Sequence, residues 1–130
     1  MSRSPCDRLL DIIDRIDTAT KAEILLARAE ANFDQPLAAA LVDSILFDLL
    51  VIGEATKALP AEWKKRRDDV PWSLVAKLRD RLAHHYFAIN LPIIRTTLDT
   101  PLAVLREACA ELQRFYCAPR IDGGEEPTVL

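Results

Sequence analysis

A chain of 130 residues has the size of one domain and can bury about two thirds of its unfolded surface in a single core. Half of it is apolar, only 6% is aromatic and Gly contributes three residues, so an Ala- and Leu-rich balance predicts an all-α fold. A net charge of −3 argues against a face that is basic throughout, no signal-peptide pattern opens the chain, and the apolar runs read as too short for a bilayer; a cytoplasmic protein with no membrane partner is expected.

The first predicted helix covers residues 7–31, with Leu9, Ile12 or Ile13, Ile16 and then Ile24 or Leu25 at helical spacing. "NFDQP" ends it. Pro36 suits the first turn of the second helix, which should run to Leu59 and stop before Pro60. Leu37, Leu41, Ile45, Leu49 and Ile52 form one stripe there, while Leu46, Phe47, Leu50 and Val51 widen the apolar surface beyond what one core face needs. That excess predicts more than one packing partner and suits a symmetric homodimer. Gly53 costs roughly 1 kcal/mol against Ala inside a helix, which points to another helix approaching closely.

"PAEWKKRRDDVPW" reads as a short connector helix, and Trp72 to about His85 as the third main helix. Asn90 and Pro92 are cap and first-turn signals for a last helix whose stripe runs Leu91, Ile94, Leu98, Leu102, Leu105, Cys109, Leu112, Tyr116. Thr100-Pro101 either kinks that helix or divides it. The expected architecture is an antiparallel bundle of four main helices plus a connector helix, one domain over residues 1–117, with a disordered tail over 118–130. Cys6, Cys109 and Cys117 are odd in number and lack Cys-x-x-Cys spacing, so free and mostly buried thiols are expected, with no disulfide, no zinc site and no cofactor.

The informative stretch is "KLRDRLAHHYF", residues 77–87, which holds both histidines of the chain. Residues 62–81 carry seven basic and four acidic side chains, so a +3 segment sits on a −6 remainder and attracts a phosphate backbone at one place only. On a helix turning about 100° per residue, Leu74, Val75, Leu78 and Leu82 define a buried side that His85 shares, while His84 points away. Asp80 precedes His84 by four residues, where a carboxylate can orient the imidazole and raise its basicity. Arg79 and His84 diverge by about 140° on an unbroken helix, so they meet at one phosphate only if the helix ends between them or a second subunit completes the site. Arg offers a fixed fork of donors and His a proton exchanged near neutral pH, which together suffice for metal-free RNA cleavage by the 2′-hydroxyl. A solvated charged helix is the plainer reading of the same residues.

"RDRLAHHY" has the form Arg, four residues, His, one residue, Tyr, and so resembles the motif of HepT-type toxins in the HEPN superfamily. "VIGEATKALP" (51–60) and "VPWSLVAKLRDRLAHHYFAIN" (70–90) extend the resemblance in the same order. The resemblance implies a dimeric helical bundle in which Arg79 and His84 of both subunits line a shared cleft. It also implies a metal-independent ribonuclease, and as partner an MntA-type nucleotidyltransferase antitoxin that transfers AMP to Tyr86. Carried over, Arg79 stabilises the phosphorane charge, His84 is general base or acid, Tyr86 accepts AMP, and Glu54 in the "GEA" segment plays a supporting role. The position after the Arg, often Asn in the family, is here Asp80, which either repels the phosphate or strengthens His84 as a base. The alternative is a non-catalytic dimeric module that binds a nucleotide or docks the nucleotidyltransferase, a reading favoured by the acidic body.

Overall fold

The computed structural model of the chain describes residues 3–84 and 99–117, and among these it is helical with no strand. Five helices follow one another: α1 (Pro5–Ala31), α2 (Gln35–Lys57), α3 (Ala61–Lys65), α4 (Trp72–His84) and α5 (Thr100–Tyr116). The chain is an all-α bundle. The tail from residue 118, and the expected roles of His85, Asn90 and Pro92, lie outside the described residues.

Local chemistry sets the helix ends. The Ser4 hydroxyl accepts from the Asp7 N–H while the Asp7 carboxylate takes the Ser4 N–H, a reciprocal cap that starts α1 two residues ahead of the expected Asp7. At the other end Phe33 adopts φ 54°, its N–H bonds the Glu30 carbonyl at 3.1 Å, and the Asp34 N–H reaches the Ala29 carbonyl at 2.8 Å. This left-handed closure usually belongs to Gly, and Phe33 occupies it with its ring 86% exposed. Asp34 then caps α2 by accepting from the Leu37 N–H, with Pro36 in the first turn as expected. Thr100-Pro101 opens α5, so a helix starts at that dipeptide.

Leu9, Ile12, Ile16 and Leu26 of α1 meet Ile45, Leu49 and Ile52 of α2, Val75 and Leu82 of α4, and Leu102, Leu105, Cys109 and Leu112 of α5 in one core. Two expected stripes shift. Ala19, Ala22, Leu26 and Ala29 are the buried residues in the second half of α1, leaving Ile24 and Leu25 about half exposed; on α4, Leu74 is exposed as well. A core can take small residues wherever a neighbouring helix comes close, so the larger residue of an adjacent pair is not always the inner one.

The cysteine expectation is corrected for two of three thiols. Cys6 and Cys117 form a disulfide across a Cα–Cα distance of 6.0 Å, while Cys109 is free and buried. Burial pushes the Cys109 thiol up to about 12, which makes it inert at neutral pH. The bridge follows from helix direction. α1 and α5 run antiparallel, so the start of one lies beside the end of the other, and eleven residues further in along each helix Arg106 binds Asp17 with a two-pronged bridge of 2.7 and 2.9 Å. A 111-residue separation hid from spacing what the topology brings together.

The expectation about apolar runs also changes. α2 is 23 residues long with a mean hydropathy of 1.9 over its most apolar window, enough by length and composition to cross a membrane. Of its four charged residues, Asp43 and Asp48 lie within the apolar stretch and Glu54 and Lys57 near its end. In the bundle α2 packs on α1 and α4, and Asp48 is buried against Arg15 of α1 at 3.1 Å. Phe47 on its outer side remains 54% exposed.

Candidate active site

Two anchors fix α4. The Trp72 indole N–H donates to the Lys64 and Arg67 carbonyls at 3.0 and 2.8 Å, pinning the first turn to the connector. Further along, α4 passes α2 with backbone nearly touching backbone: a Cβ built on Gly53 would stand 2.5 Å from the Arg79 Cβ and 2.9 Å from the Arg79 nitrogen. Gly53 thus permits the approach its sequence position suggested, and it sets where Arg79 leaves the helix.

The Arg79 guanidinium is held from two sides. Nε meets Glu54 Oε1 at 3.0 Å and Nη1 meets Asp80 Oδ1 at 3.0 Å, and the arginine side chain is 36% exposed. These carboxylates, Asp80 first, raise its pKa and keep it charged. Their geometry leaves the Nη2 edge without a partner among the described residues. Glu54, expected only in support, is therefore the residue of α2 that aims Arg79, and Asp80 engages the same guanidinium.

His84 is the last residue of α4, and the helix is unbroken from Trp72 to it. One of the two routes to convergence is thereby closed, because the helix does not end between Arg79 and His84. Five helical steps keep them about 140° apart within one chain. The His84 ring and the whole of Tyr86 lie outside the described residues. Among the described residues no cluster of His, Cys, Asp and Glu has the arrangement of a metal site.

One feature of the site escaped the sequence reading. A cavity of about 330 Å³ opens beside Arg79, walled by Glu54, Phe47 and Leu50 of α2 and by Arg8 of α1. Arg8 belongs to no motif. The signal that would have found it is the register of the α1–α2 hairpin, in which the edge of α1 bearing Arg8 and Arg15 faces the edge of α2 bearing Phe47 and Asp48.

Similarity to known proteins places the chain in a family. The HepT-like ribonuclease family matches residues 9–112. A protein of Caldanaerobacter subterraneus subsp. tengcongensis whose name proposes an RNase is 38% identical over 72 residues, 55% of this chain and 64% of that one. A Methanocaldococcus jannaschii protein, also named as a proposed RNase, is 49% identical over 51 residues, 39% of this chain and 42% of its own length. A Thermococcus cleftensis protein whose name proposes ribonuclease HepT is 26% identical over 114 residues, 88% of this chain and all of that one. The match thus spans less than two thirds of the first two relatives, and no solved structure matches. Since the family match covers most of the chain, including most of α1, all of α2 and the Arg79–His84 helix, the chain belongs to the HepT-like ribonuclease family.

Proposed function

We propose that this protein is a cytoplasmic toxin of a toxin–antitoxin pair and acts as a metal-independent endoribonuclease. The observation that carries the reading is Arg79, aimed by Glu54 and Asp80 with one guanidinium edge open, on an unbroken helix that also bears His84. A homodimer supplies the remaining geometry: α2 keeps apolar surface such as Leu37 uncovered, and a two-fold copy brings His84 of one subunit toward Arg79 of the other. In the shared cleft His84 takes the 2′-hydroxyl proton as the 2′-oxygen bonds to phosphorus. Arg79 neutralises the charge on the phosphorane oxygens. The P–O5′ bond then breaks, His84 passes the proton it took to the leaving oxygen, and a 2′,3′-cyclic phosphate remains.

Regulation falls to Tyr86. A nucleotidyltransferase antitoxin of the MntA type would carry the phenolic oxygen to the α-phosphate of ATP, forming a P–O bond as pyrophosphate leaves and the phenolic proton passes to a base. The added phosphate sets a negative charge at the cleft where RNA must bind. Purified protein incubated with RNA in EDTA is expected to give 2′,3′-cyclic phosphate ends, and His84→Ala to abolish cleavage with an unchanged melting temperature. Retained cleavage in that variant removes His84 from the mechanism.

A second reading is a non-catalytic dimer that binds a nucleotide or docks the nucleotidyltransferase. The double carboxylate grip on Arg79 favours it, since a scissile phosphate must share that guanidinium with Glu54 and Asp80. Intact RNA at high protein concentration, with partner binding still dependent on Arg79 and Tyr86, would select it.

A further inference from the structure

Four arginines are part-buried among the described residues: Arg8, Arg15, Arg67 and Arg79. Arg15 pairs with Asp48, Arg67 with Asp69, Glu107 and Glu111, and Arg79 with Glu54 and Asp80. Arg8 alone of the four has no carboxylate partner among the described residues. The acids on its cavity are already engaged, Asp11 by both prongs of Arg3 and Glu54 by Arg79. A partly buried arginine without a carboxylate partner leaves its donors available to an arriving anion.

The rest of the wall points to the kind of anion. Phe47 is 54% exposed with the Arg15 guanidinium 5.1 Å from its ring centroid, and Leu50 continues the apolar surface beside it. A flat apolar ring next to an unpaired cation matches a base attached to a phosphate. The volume of about 330 Å³ lies at the lower end of small-ligand sites, which suits a single nucleotide. A second copy of the chain laid over the same wall would seal in the Arg8 charge, because both acids there are taken.

We propose that this cavity is a subsite for the nucleotide adjoining the scissile phosphate of single-stranded RNA, with Arg8 binding its phosphate and Phe47 stacking its base. The assignment rests on the ribonuclease reading of Arg79 and extends it to residues of α1 and α2. In it, α1 contributes to substrate binding as well as to the core.

The test uses the full chain carrying His84→Ala, so that RNA stays whole, and a fluorescently labelled single-stranded RNA oligonucleotide as probe. Adding Arg8→Gln is expected to weaken binding roughly tenfold and to lower the slope of log affinity against log salt by about 0.7. Arg8→Lys should keep most of that slope. Phe47→Ala should weaken binding by about 5- to 100-fold with the slope unchanged, as loss of one stacked base predicts. Melting temperature and light scattering are followed for each variant. Unchanged affinity and slope in Arg8→Gln overturn the subsite, as do affinity losses that follow dimer dissociation or a complete absence of RNA binding in the parent chain. Cleavage is read separately: a wild-type chain that binds RNA but never cuts it ends the catalytic reading and leaves the Arg8 result standing.

Discussion

Arg67 and Arg79 are twelve residues apart, and both are gripped by carboxylates, yet they serve opposite ends. Arg67, 15% exposed, reaches Asp69 at 2.9 Å and Glu107 and Glu111 of α5 at 2.7 Å each. Glu107 and Glu111 tie the connector to a helix far along the chain, Asp69 closes the guanidinium from within the connector, and nearby Trp63 stacks on Tyr116 of α5 with ring centroids 4.2 Å apart. Arg79 is 36% exposed, has two carboxylates beside it and lines a cavity. The number of acids does not tell a structural arginine from a functional one. What distinguishes them is whether those acids close the guanidinium off or orient it toward solvent.

Substitutions can break this contrast, beginning with the largest effect. Arg79→Ala should lower RNA cleavage by about 10²- to 10³-fold, the size expected when a donor to a developing oxyanion is removed, with little change in melting temperature. Arg67→Ala should do the reverse: about 2–3 kcal/mol lost in urea unfolding as charged hydrogen bonds are broken, with cleavage per folded molecule retained. Gly53→Ala joins the two regions. Its methyl forces α4 off α2, costing about 1–3 kcal/mol in unfolding measurements, and the same displacement should lower cleavage because it moves Arg79. Phe33→Gly lies far from either arginine in sequence and should stabilise the fold by about 1 kcal/mol, read from the same curves, by relieving the left-handed backbone without touching activity.

Acid sharpens the contrast further. Arg67 holds Asp69, and Arg106 holds Asp17, below the usual carboxylate range. Depressed folded-state values mean this stabilisation is complete above the unfolded value of about 4 and is lost as pH falls through the folded one. Burial raises Asp48, so its sign is opposite: the fold binds that proton more tightly, and rising pH through the raised value costs stability. Asp17→Asn should therefore flatten the acid limb of the stability curve, and Asp48→Asn should remove the loss on the higher-pH side.

Legibility in the sequence followed the range of the interaction. Pro36, Pro60 and Trp72 punctuate the helices locally, and each marks a true boundary region. The close approach at Gly53 was readable because Gly inside an apolar helix lacks a local reason. Adjacent apolar pairs hid the inner face of α1, where Ile24 and Leu25 drew attention from Ala22 and Leu26. The Cys6–Cys117 bridge and the place of Arg8 were not readable, since each depends on which helices lie side by side rather than on any spacing. Arg79 and Glu54 were singled out by resemblance, and the structure adds the 3.0 Å contact between them.

The central claim is that Arg79 and His84, about 140° apart on one helix, act together across two subunits. Mixing the inactive variants Arg79→Ala and His84→Ala under conditions of subunit exchange tests it directly, with RNA cleavage as the readout. Mixed dimers should regain cleavage, because their shared cleft keeps one Arg79 from one subunit and one His84 from the other. A mixture that exchanges subunits fully and still leaves RNA intact would contradict the account.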